Sequence, residues 1–412
     1  MNGQYRIPYS DSMYYENNKG WMISHSSLCE LDFVKKKARI VKKFDKDFED
    51  GFCPFLGVVC FDKKFYLSPG IEGKCIGIYD CERGEMKKIQ LKEIDFVHRV
   101  NSMLKPTLNP GIRVGNYIVF SGFSYPAIVV LDTLTDEVFY FDDWITQIDV
   151  RNENVEEFTH YFSKGYEIVD NSIILGFACL PMLFKLDFNS METEIIKIDT
   201  EVYGISGISK LDENYFIITG RGMGESRCLL CNRITYKIEK QIKIDEVNSQ
   251  SPDNFCPVIK CNERYFLFPY ITLITEKVYE IDANAFCYKN VKNIATGIKK
   301  YLESDTYFAQ HALVIVEENG IIRYLSGNDL YWYEWNEKTD SIIKYLIELD
   351  EDENLMLDCW ADSARDFVNN GTIVPESLIP LEGLLNMIKK PRSTKKEDKE
   401  SIGENICKLI VQ

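Results

Sequence analysis

Two arginines flank a glycine-rich loop and form the best candidate for an anion site. Arg221 lies within the segment TGRGMGES, and Arg227 follows it. Guanidinium groups bind carboxylate or phosphate oxygens through paired hydrogen bonds. A phosphate-binding loop, however, must open a helix whose N-terminus supplies the donors. The strand-like segment CLLCN comes next, so we expect a surface loop with anion-binding capacity rather than a nucleotide site.

Aromatic residues recur at one kind of connection and are candidates for ligand contacts. Phe123 and Tyr125 lie in SGFSYPA, Phe177 in GFACLPM and Tyr270 in FPYITLITE. Aromatic groups gathered on one face are typical hot spots for a peptide or for a stacking sugar. The alternative is that several of these rings fold down and anchor their loops.

Two of the four histidines lie at matching places. His160 in FTHYF and His311 in AQHAL each mark the point where a long connection enters an apolar strand. Cys228 and Cys231 form a CxxC pair, but residues three apart on a strand point to opposite faces and cannot share one metal. We therefore expect no metal and no cofactor. No ordered Ser-His-Asp set or carboxylate pair stands out, so catalytic residues stay unassigned.

A repeat positions all of these residues. A strand ending in Asp or Asn, followed by a turn and another strand, recurs every 45 to 55 residues. A short side-chain oxygen there can accept a hydrogen bond from the backbone two residues on and close a hairpin. The seven anchors are Asp32, Asp80, Asp132, Asp187, Asn232, Asp282 and Asn336.

Further apolar stretches precede each hairpin. Examples are FLGVVCF at 55–61 and FYLSP at 65–69 before the hairpin at Asp80. Four strands in a unit of about 50 residues, repeated seven times, predict an all-β protein, a seven-bladed β-propeller of four-stranded antiparallel blades. A pair of β-sandwich domains is the rival architecture. Each blade is expected to come from contiguous sequence, without strand exchange between the chain ends.

The layout resembles WD-repeat and kelch-repeat propellers over roughly residues 4–350. The Asp/Asn anchor ends its strand where the Trp-Asp pair of WD repeats does, but the Gly-His, Trp-Asp and kelch Gly-Gly pairs are missing. The resemblance therefore implies topology and no functional residues. In such a disc the aromatic loops and the two arginines share one face, and His160 and His311 line the mouth of the central channel.

Composition narrows the classes of partner and of compartment. The 412 residues carry 64 acidic and 48 basic groups, a formal net charge of −16. Nucleic acids and anionic membranes attract basic surfaces, so both are disfavoured. No segment is apolar enough for a signal peptide or a membrane span. The 13 cysteines then predict reduced thiols in a cytoplasmic protein.

The composition changes after residue 350. The expected domains are a propeller at 1–350, a packing segment with a helix at 351–390, a charged linker at 391–400 and an amphipathic helix at 401–412. Ser401 and Glu404 form a capping-box pattern at the start of the last helix. That helix either packs back on the protein or docks on a partner.

Two functional classes remain from the sequence. The first is a non-catalytic scaffold that binds a protein, peptide or glycan through the loop-rich face and the channel mouth. The second is an enzyme of the glycan hydrolase or lyase type at the channel mouth, which would need two carboxylates flanking a pocket.

Overall fold

A computed structural model describes most of the predicted propeller. The described residues are 10, 12–24, 27–44, 55–70, 74–94, 107–148, 161–221, 226–244, 255–269, 277–293, 312–326 and 331–349. These residues form seven separate sheets and a single short helix, α1 (Trp144–Gln147). The predicted all-β, seven-bladed propeller is confirmed, and the paired sandwiches are excluded. The expected segments at 351–390, 391–400 and 401–412 lie outside the described residues.

The first three blades follow one another along the chain. Blade 1 contains β1 (Tyr14–Glu16), β2 (Lys19–Ser24), β3 (Ser27–Asp32) and β4 (Lys37–Lys43). Blade 2 contains β5 (Phe55–Phe61), β6 (Lys64–Pro69), β7 (Cys75–Asp80) and β8 (Glu85–Gln90). Blade 3 contains β9 (Ile112–Val114), β10 (Tyr117–Phe120), β11 (Ile128–Asp132) and β12 (Val138–Phe141).

The other four blades repeat the same arrangement. Blade 4 contains β13 (Phe162–Val169), β14 (Ser172–Phe177), β15 (Met182–Asp187) and β16 (Glu192–Lys197). Blade 5 contains β17 (Gly204–Lys210), β18 (Tyr215–Arg221), β19 (Ser226–Asn232) and β20 (Ile238–Ile244). Blade 6 contains β21 (Ile259–Cys261), β22 (Arg264–Leu267), β23 (Lys277–Asp282) and β24 (Cys287–Asn293). Blade 7 contains β25 (Ala312–Glu318), β26 (Ile321–Ser326), β27 (Trp332–Asn336) and β28 (Ser341–Tyr345).

Each blade is an antiparallel sheet whose strands lie in chain order, with the first strand innermost. The first strands of neighbouring blades lie side by side, as β13 and β17 do, whereas most side chains of the fourth strands are partly or fully exposed. Gly165 of β13 illustrates how close this inner packing is. A Cβ atom there would lie 2.4 Å from the Cα of Gly207 in β17, so neither inner strand tolerates a side chain at that point.

The seven anchors close their hairpins as predicted. The side-chain oxygen of Asp80 accepts hydrogen bonds from the backbone N–H groups of Glu82 (2.9 Å) and Arg83 (3.0 Å). The other six anchors make the same pair of bonds, two and three residues on. The residue four positions after each anchor has a left-handed backbone, and only Gly84 is a glycine; the others are Lys36, Asp136, Met191, Tyr236, Phe286 and Asp340. The anchor bonds thus help to hold a conformation that most of these side chains disfavour.

The apolar core is a ring of seven clusters, one at each junction between neighbouring blades. At the junction of blades 7 and 1, Phe33 packs edge-on against Trp332 with ring centroids 4.8 Å apart. Cys228 and Cys231 show how one strand serves two junctions. Cys228 packs toward blade 6 and Cys231 toward blade 4, so the predicted opposite faces are confirmed. Every blade therefore buries both of its faces.

Ring closure differs from the expectation of purely contiguous blades. After β28, the chain crosses to blade 1 and forms β29 (Glu348–Leu349), a fifth strand parallel to β4. Ile347, just before β29, is fully buried in the cluster between blades 7 and 1. The expectation of no exchange between the ends was wrong, because β29 comes from the far end of the chain and covers part of the outer edge of blade 1.

We expect Asn336→Ala to destabilise the protein by about 1 kcal/mol, since two backbone donors lose their acceptor. Asn336→Asp keeps the side-chain oxygen and should lie close to wild type. Denaturant unfolding of the three proteins measures the difference, and equal stability of Asn336→Ala and Asn336→Asp would contradict the role assigned to the anchor.

Acid should weaken the anchors that are aspartates. The backbone N–H of Arg83, with that of Glu82, lowers the pKa of Asp80, and the N–H groups of Ser190 and Asn189 lower the pKa of Asp187. A carboxylate with a lowered folded-state pKa stabilises the fold above its unfolded pKa, about 4, and this contribution is lost as the pH falls through the folded pKa. The melting temperature should therefore fall below about pH 4. The double variant Asp80→Asn with Asp187→Asn keeps both hydrogen-bond acceptors but removes their charge. Its melting temperature, measured as a function of pH, should therefore fall less below about pH 4 than that of the wild type.

Candidate functional site

The antiparallel blades sort their connections onto two faces. The loop-rich face carries the connections from second to third strands and those between blades, whereas the turn face carries the short first-to-second turns and the anchor turns. The described part of the loop-rich face lies mainly on blades 3 to 5, in the segments 107–111, 121–127, 142–148, 178–181 and 198–203.

A backbone carbonyl organises the aromatic loop of blade 3. The carbonyl oxygen of Thr107 accepts hydrogen bonds from three consecutive N–H groups, those of Phe123 (3.0 Å), Ser124 (3.1 Å) and Tyr125 (3.0 Å). The hydroxyl oxygens of Thr107 and Ser124 lie 3.0 Å apart. A Cβ atom on Gly122 would lie 1.9 Å from the Tyr125 carbonyl oxygen, so this tight loop requires glycine there. The loop is therefore held by its own backbone.

The hydrogen bonds continue across blades 4 and 5. Tyr161 N–H donates to the Phe123 carbonyl (2.7 Å), and Ala178 N–H donates to the Tyr161 carbonyl (2.8 Å). The Arg221 guanidinium then donates to the Ala178 carbonyl (2.5 Å), and Tyr203 N–H donates to the Arg221 carbonyl (2.8 Å). This hydrogen-bonded chain, which we call the rim relay, joins the loops of three blades into one rigid unit.

Two of the predicted aromatic contacts are loop anchors instead. Tyr125 is 4% exposed and donates its hydroxyl to the Lys92 carbonyl (2.6 Å). Burial raises the pKa of that phenol well above its usual range. Phe177 is fully buried and stacks near Phe162, with ring centroids 4.6 Å apart. Neither ring is available at the surface, because each fills the junction beneath its loop; Phe123 remains half-buried.

The two arginines both have partners within the protein. Arg221 is 2% exposed, and besides the bond to Ala178 its guanidinium lies 3.9 Å from the Cys179 sulfur. Arg227 pairs with the carboxylate of Glu201 (2.9 Å) and donates to Gln241 (2.9 Å). Arg221 thus links blade 5 to blade 4 through a buried hydrogen bond. It is not the surface residue that the sequence suggested. Anion binding at Arg227 stays a prediction.

The remaining predicted site residues are His160, His311 and Tyr270. They lie outside the described residues, as does the loop 222–225. Among the residues that are described, no group of three or more His, Cys, Asp or Glu side chains could hold a metal ion. No disulfide joins any two of the ten described cysteines. Burial raises the pKa values of Cys228 and Cys231 to about 12, so both stay protonated at neutral pH.

Sequence reasoning missed three exposed side chains. Tyr203, 37% exposed, lies in the connection from blade 4 to blade 5. Tyr166 (41% exposed) and Ile168 (37%) lie on the innermost strand β13. Partial burial raises the pKa of Tyr166. The alternation of Tyr166 and Ile168 in SKGYEIV was the sequence signal that could have identified these two residues as lying on one face of the strand.

No protein-family model and no curated protein matches the chain. Among solved structures, a catalytically inactive virginiamycin B lyase from Staphylococcus aureus, with quinupristin, matches with a TM-score of 0.54 at 12% identity, covering 80% of this chain and 94% of that one. A chain of the mitotic checkpoint complex matches with a TM-score of 0.52 at 10% identity, covering 85% and 90%. The structure of U3-55K matches at 0.50 and 7%, covering 79% and 90%. At these identities the likeness is one of fold alone, that of a β-propeller. No helix among the described residues is long and apolar enough to cross a membrane.

Arg221→Met should destabilise the protein by about 2 kcal/mol, because a buried charged donor is lost and the Ala178 carbonyl is left without it. Arg227→Met removes a pair with an 81%-exposed Glu201 side chain and should cost less than about 0.5 kcal/mol. Thermal and denaturant unfolding distinguish the two variants. An equal loss of stability in both would contradict the role of Arg221 in linking blades 4 and 5.

Proposed function

We propose that the protein is a non-catalytic scaffold that binds another protein through the loop-rich face and the channel mouth. The observation that carries the proposal is the rim relay, which fixes the loops of blades 3 to 5 through backbone hydrogen bonds. A surface ordered before binding loses less conformational entropy on association. Such a face suits recognition of a preformed partner.

The exposed groups on this face suit contacts with a protein or peptide. Tyr203 is 37% exposed and Phe123 is half-buried. Aromatic groups on a rigid base bury much area with little loss of side-chain entropy. The Glu201 carboxylate, paired with Arg227, adds a polar group beside Tyr203. A glycan would use the same rings for stacking, and the channel tyrosine Tyr166 would extend the contact inward.

The charge and the thiols support the choice of partner and compartment. A net charge of −16 opposes binding to nucleic acid and to anionic membranes. The ten described cysteines form no disulfide with one another, which supports a reducing compartment, and we propose the cytoplasm.

An enzyme at the channel mouth is the second candidate, and one observation favours it. Tyr166 lies on the innermost strand β13 and is 41% exposed, so its phenol, which is protonated at neutral pH like any ordinary phenol, can donate a hydrogen bond to a ligand. A propeller named as a lyase has the same fold, which supports the capacity of this architecture for catalysis. A loss of turnover in Tyr166→Phe with partner binding intact would favour the enzyme.

The scaffold is tested by substituting exposed groups on each face. Phe123→Ser with Tyr203→Ser should abolish capture of the partner in cross-linking and affinity capture, with the melting temperature lowered only slightly. The matched control replaces exposed apolar residues of the turn face, Leu134→Ser with Ile234→Ser, whose side chains are 74% and 79% exposed. Capture lost in the control and kept in the first variant would place the binding surface on the turn face and refute the proposal.

A further inference from the structure

The junction of blades 7 and 1, which we call the seam, is packed differently from the two junctions of blade 5. The pairing register of the first strand shifts just before Gly207 in blade 5 and just before Val314 in blade 7, so the two residues are equivalent. A Cβ atom on Gly207 would lie 2.6 Å from the Cα of Pro257 in blade 6, and one on Gly165 in blade 4 would lie 2.4 Å from the Cα of Gly207. Val314 instead buries its side chain in the cluster at the seam. The inner segments therefore meet through their backbones on both sides of blade 5 and through a side chain at the seam.

Tyr15 of blade 1 supplies polar contacts across the seam. Its hydroxyl donates to the Glu318 carboxylate (2.6 Å) and accepts a hydrogen bond from the Arg323 guanidinium (2.8 Å), both in blade 7. The Tyr15 ring packs edge-on against Phe33, which in turn meets Trp332 of blade 7. The inner half of the seam is thus held by side chains, whose contacts can separate while the strands within each blade stay paired.

The chain crosses the seam at the rim of the disc. Two residues separate β28 of blade 7 from β29 on blade 1, and both strands lie at outer edges. Blades 4 and 5 are joined differently, because the connection 198–203 leads from the outer strand β16 to the inner strand β17 and buries Ile198 and Val202 between the blades. Ser12, just before β1, donates to the Leu56 carbonyl (3.1 Å) of blade 2, on the side away from the seam. Within the described chain, blade 7 is therefore tethered to blade 1 at the outer rim.

We propose that the ring opens at the seam: the inner strands of blades 7 and 1 part about a hinge at β29, while blades 2 to 6 stay packed. A local opening breaks the contacts of one junction and therefore needs less free energy than global unfolding. The seam favours such an opening because its inner contacts are between side chains and its tether lies at the rim. The junctions of blade 5 oppose it, because close backbone contact leaves their inner segments no freedom to shift.

The open form retains the ordered loop-rich surface. The rim relay lies in blades 3 to 5, so parting blades 7 and 1 leaves all of its hydrogen bonds in place. The opening exposes apolar side chains of the seam, among them Trp332 and Met22, which are fully buried in the closed ring. The disc thus has two conformations that share one loop-rich surface and differ in the gap between blades 7 and 1.

Buried thiols report the opening of single junctions. Cys29 lies in the cluster at the seam, Cys231 in that between blades 4 and 5, and Cys228 in that between blades 5 and 6. All three are at most 3% exposed. Alkylation of the full chain under native conditions is read at each cysteine by mass spectrometry and divided by the rate of the same thiol in denaturant. We expect Cys29 to be protected about tenfold less than Cys228 and Cys231.

Two Tyr→Phe variants test the cause. Tyr15→Phe removes both hydrogen bonds across the seam and should raise Cys29 labelling about tenfold, with Cys228 and Cys231 unchanged. The matched control is Tyr265→Phe, because Tyr265 donates its hydroxyl to the Leu211 carbonyl (2.7 Å) in the cluster between blades 5 and 6. This control loses a comparable bond at a backbone-packed junction and should leave Cys228 as protected as Cys231.

Three results would overturn the proposal. The first is a wild-type protein in which Cys29 is protected as well as Cys228 and Cys231, or better, because the seam would then open no more readily than the rest of the ring. The second is a Tyr15→Phe variant in which all three rates rise together, since that is global unfolding. The third is a Tyr265→Phe variant in which Cys228 labelling rises alone, since a backbone-packed junction would then open as the seam does.

Discussion

The structure depends on the burial of both faces of every blade against its two neighbours. Seven apolar clusters, each made by two adjacent blades, take the place of a single central core. In an open row of blades the two terminal sheets would each expose an apolar face, so the ring has to close. The fully buried Trp332 and Ile347 lie at the junction where it does.

Closure is also where the chain departs from a simple repeat. The inner strand of blade 1 has only three described residues, and the opposite edge of that blade receives β29 from the far end of the chain. Tyr15 donates to the Glu318 carboxylate (2.6 Å), and Arg323 donates to the Tyr15 hydroxyl (2.8 Å) at the same seam. These partly buried polar bonds add directional contacts to the apolar ones, which favours a single closed register.

The loop-rich face derives its order from the same junctions. Tyr125 lies in a connection, whereas Phe177 and Arg221 are the last residues of β14 and β18. Each of the three inserts between two blades and fixes the loop next to it. The residues left exposed are those that the junctions do not need, such as Tyr203. Buried and exposed side chains therefore lie close together along the same loops.

The seven-bladed architecture could be predicted from the sequence because local hydrogen bonds close each repeat. The spacing of the seven Asp or Asn anchors predicts the number of blades, because each oxygen closes its own hairpin with donors two and three residues away. The alternation in CLLC likewise predicts that Cys228 and Cys231 face different junctions. Only the tertiary structure decided that Tyr125, Phe177 and Arg221 are buried and that Glu348 lies beside Lys37. Those outcomes depend on contacts between residues 33 to 311 positions apart, and no local pattern records which distant surface a side chain will meet.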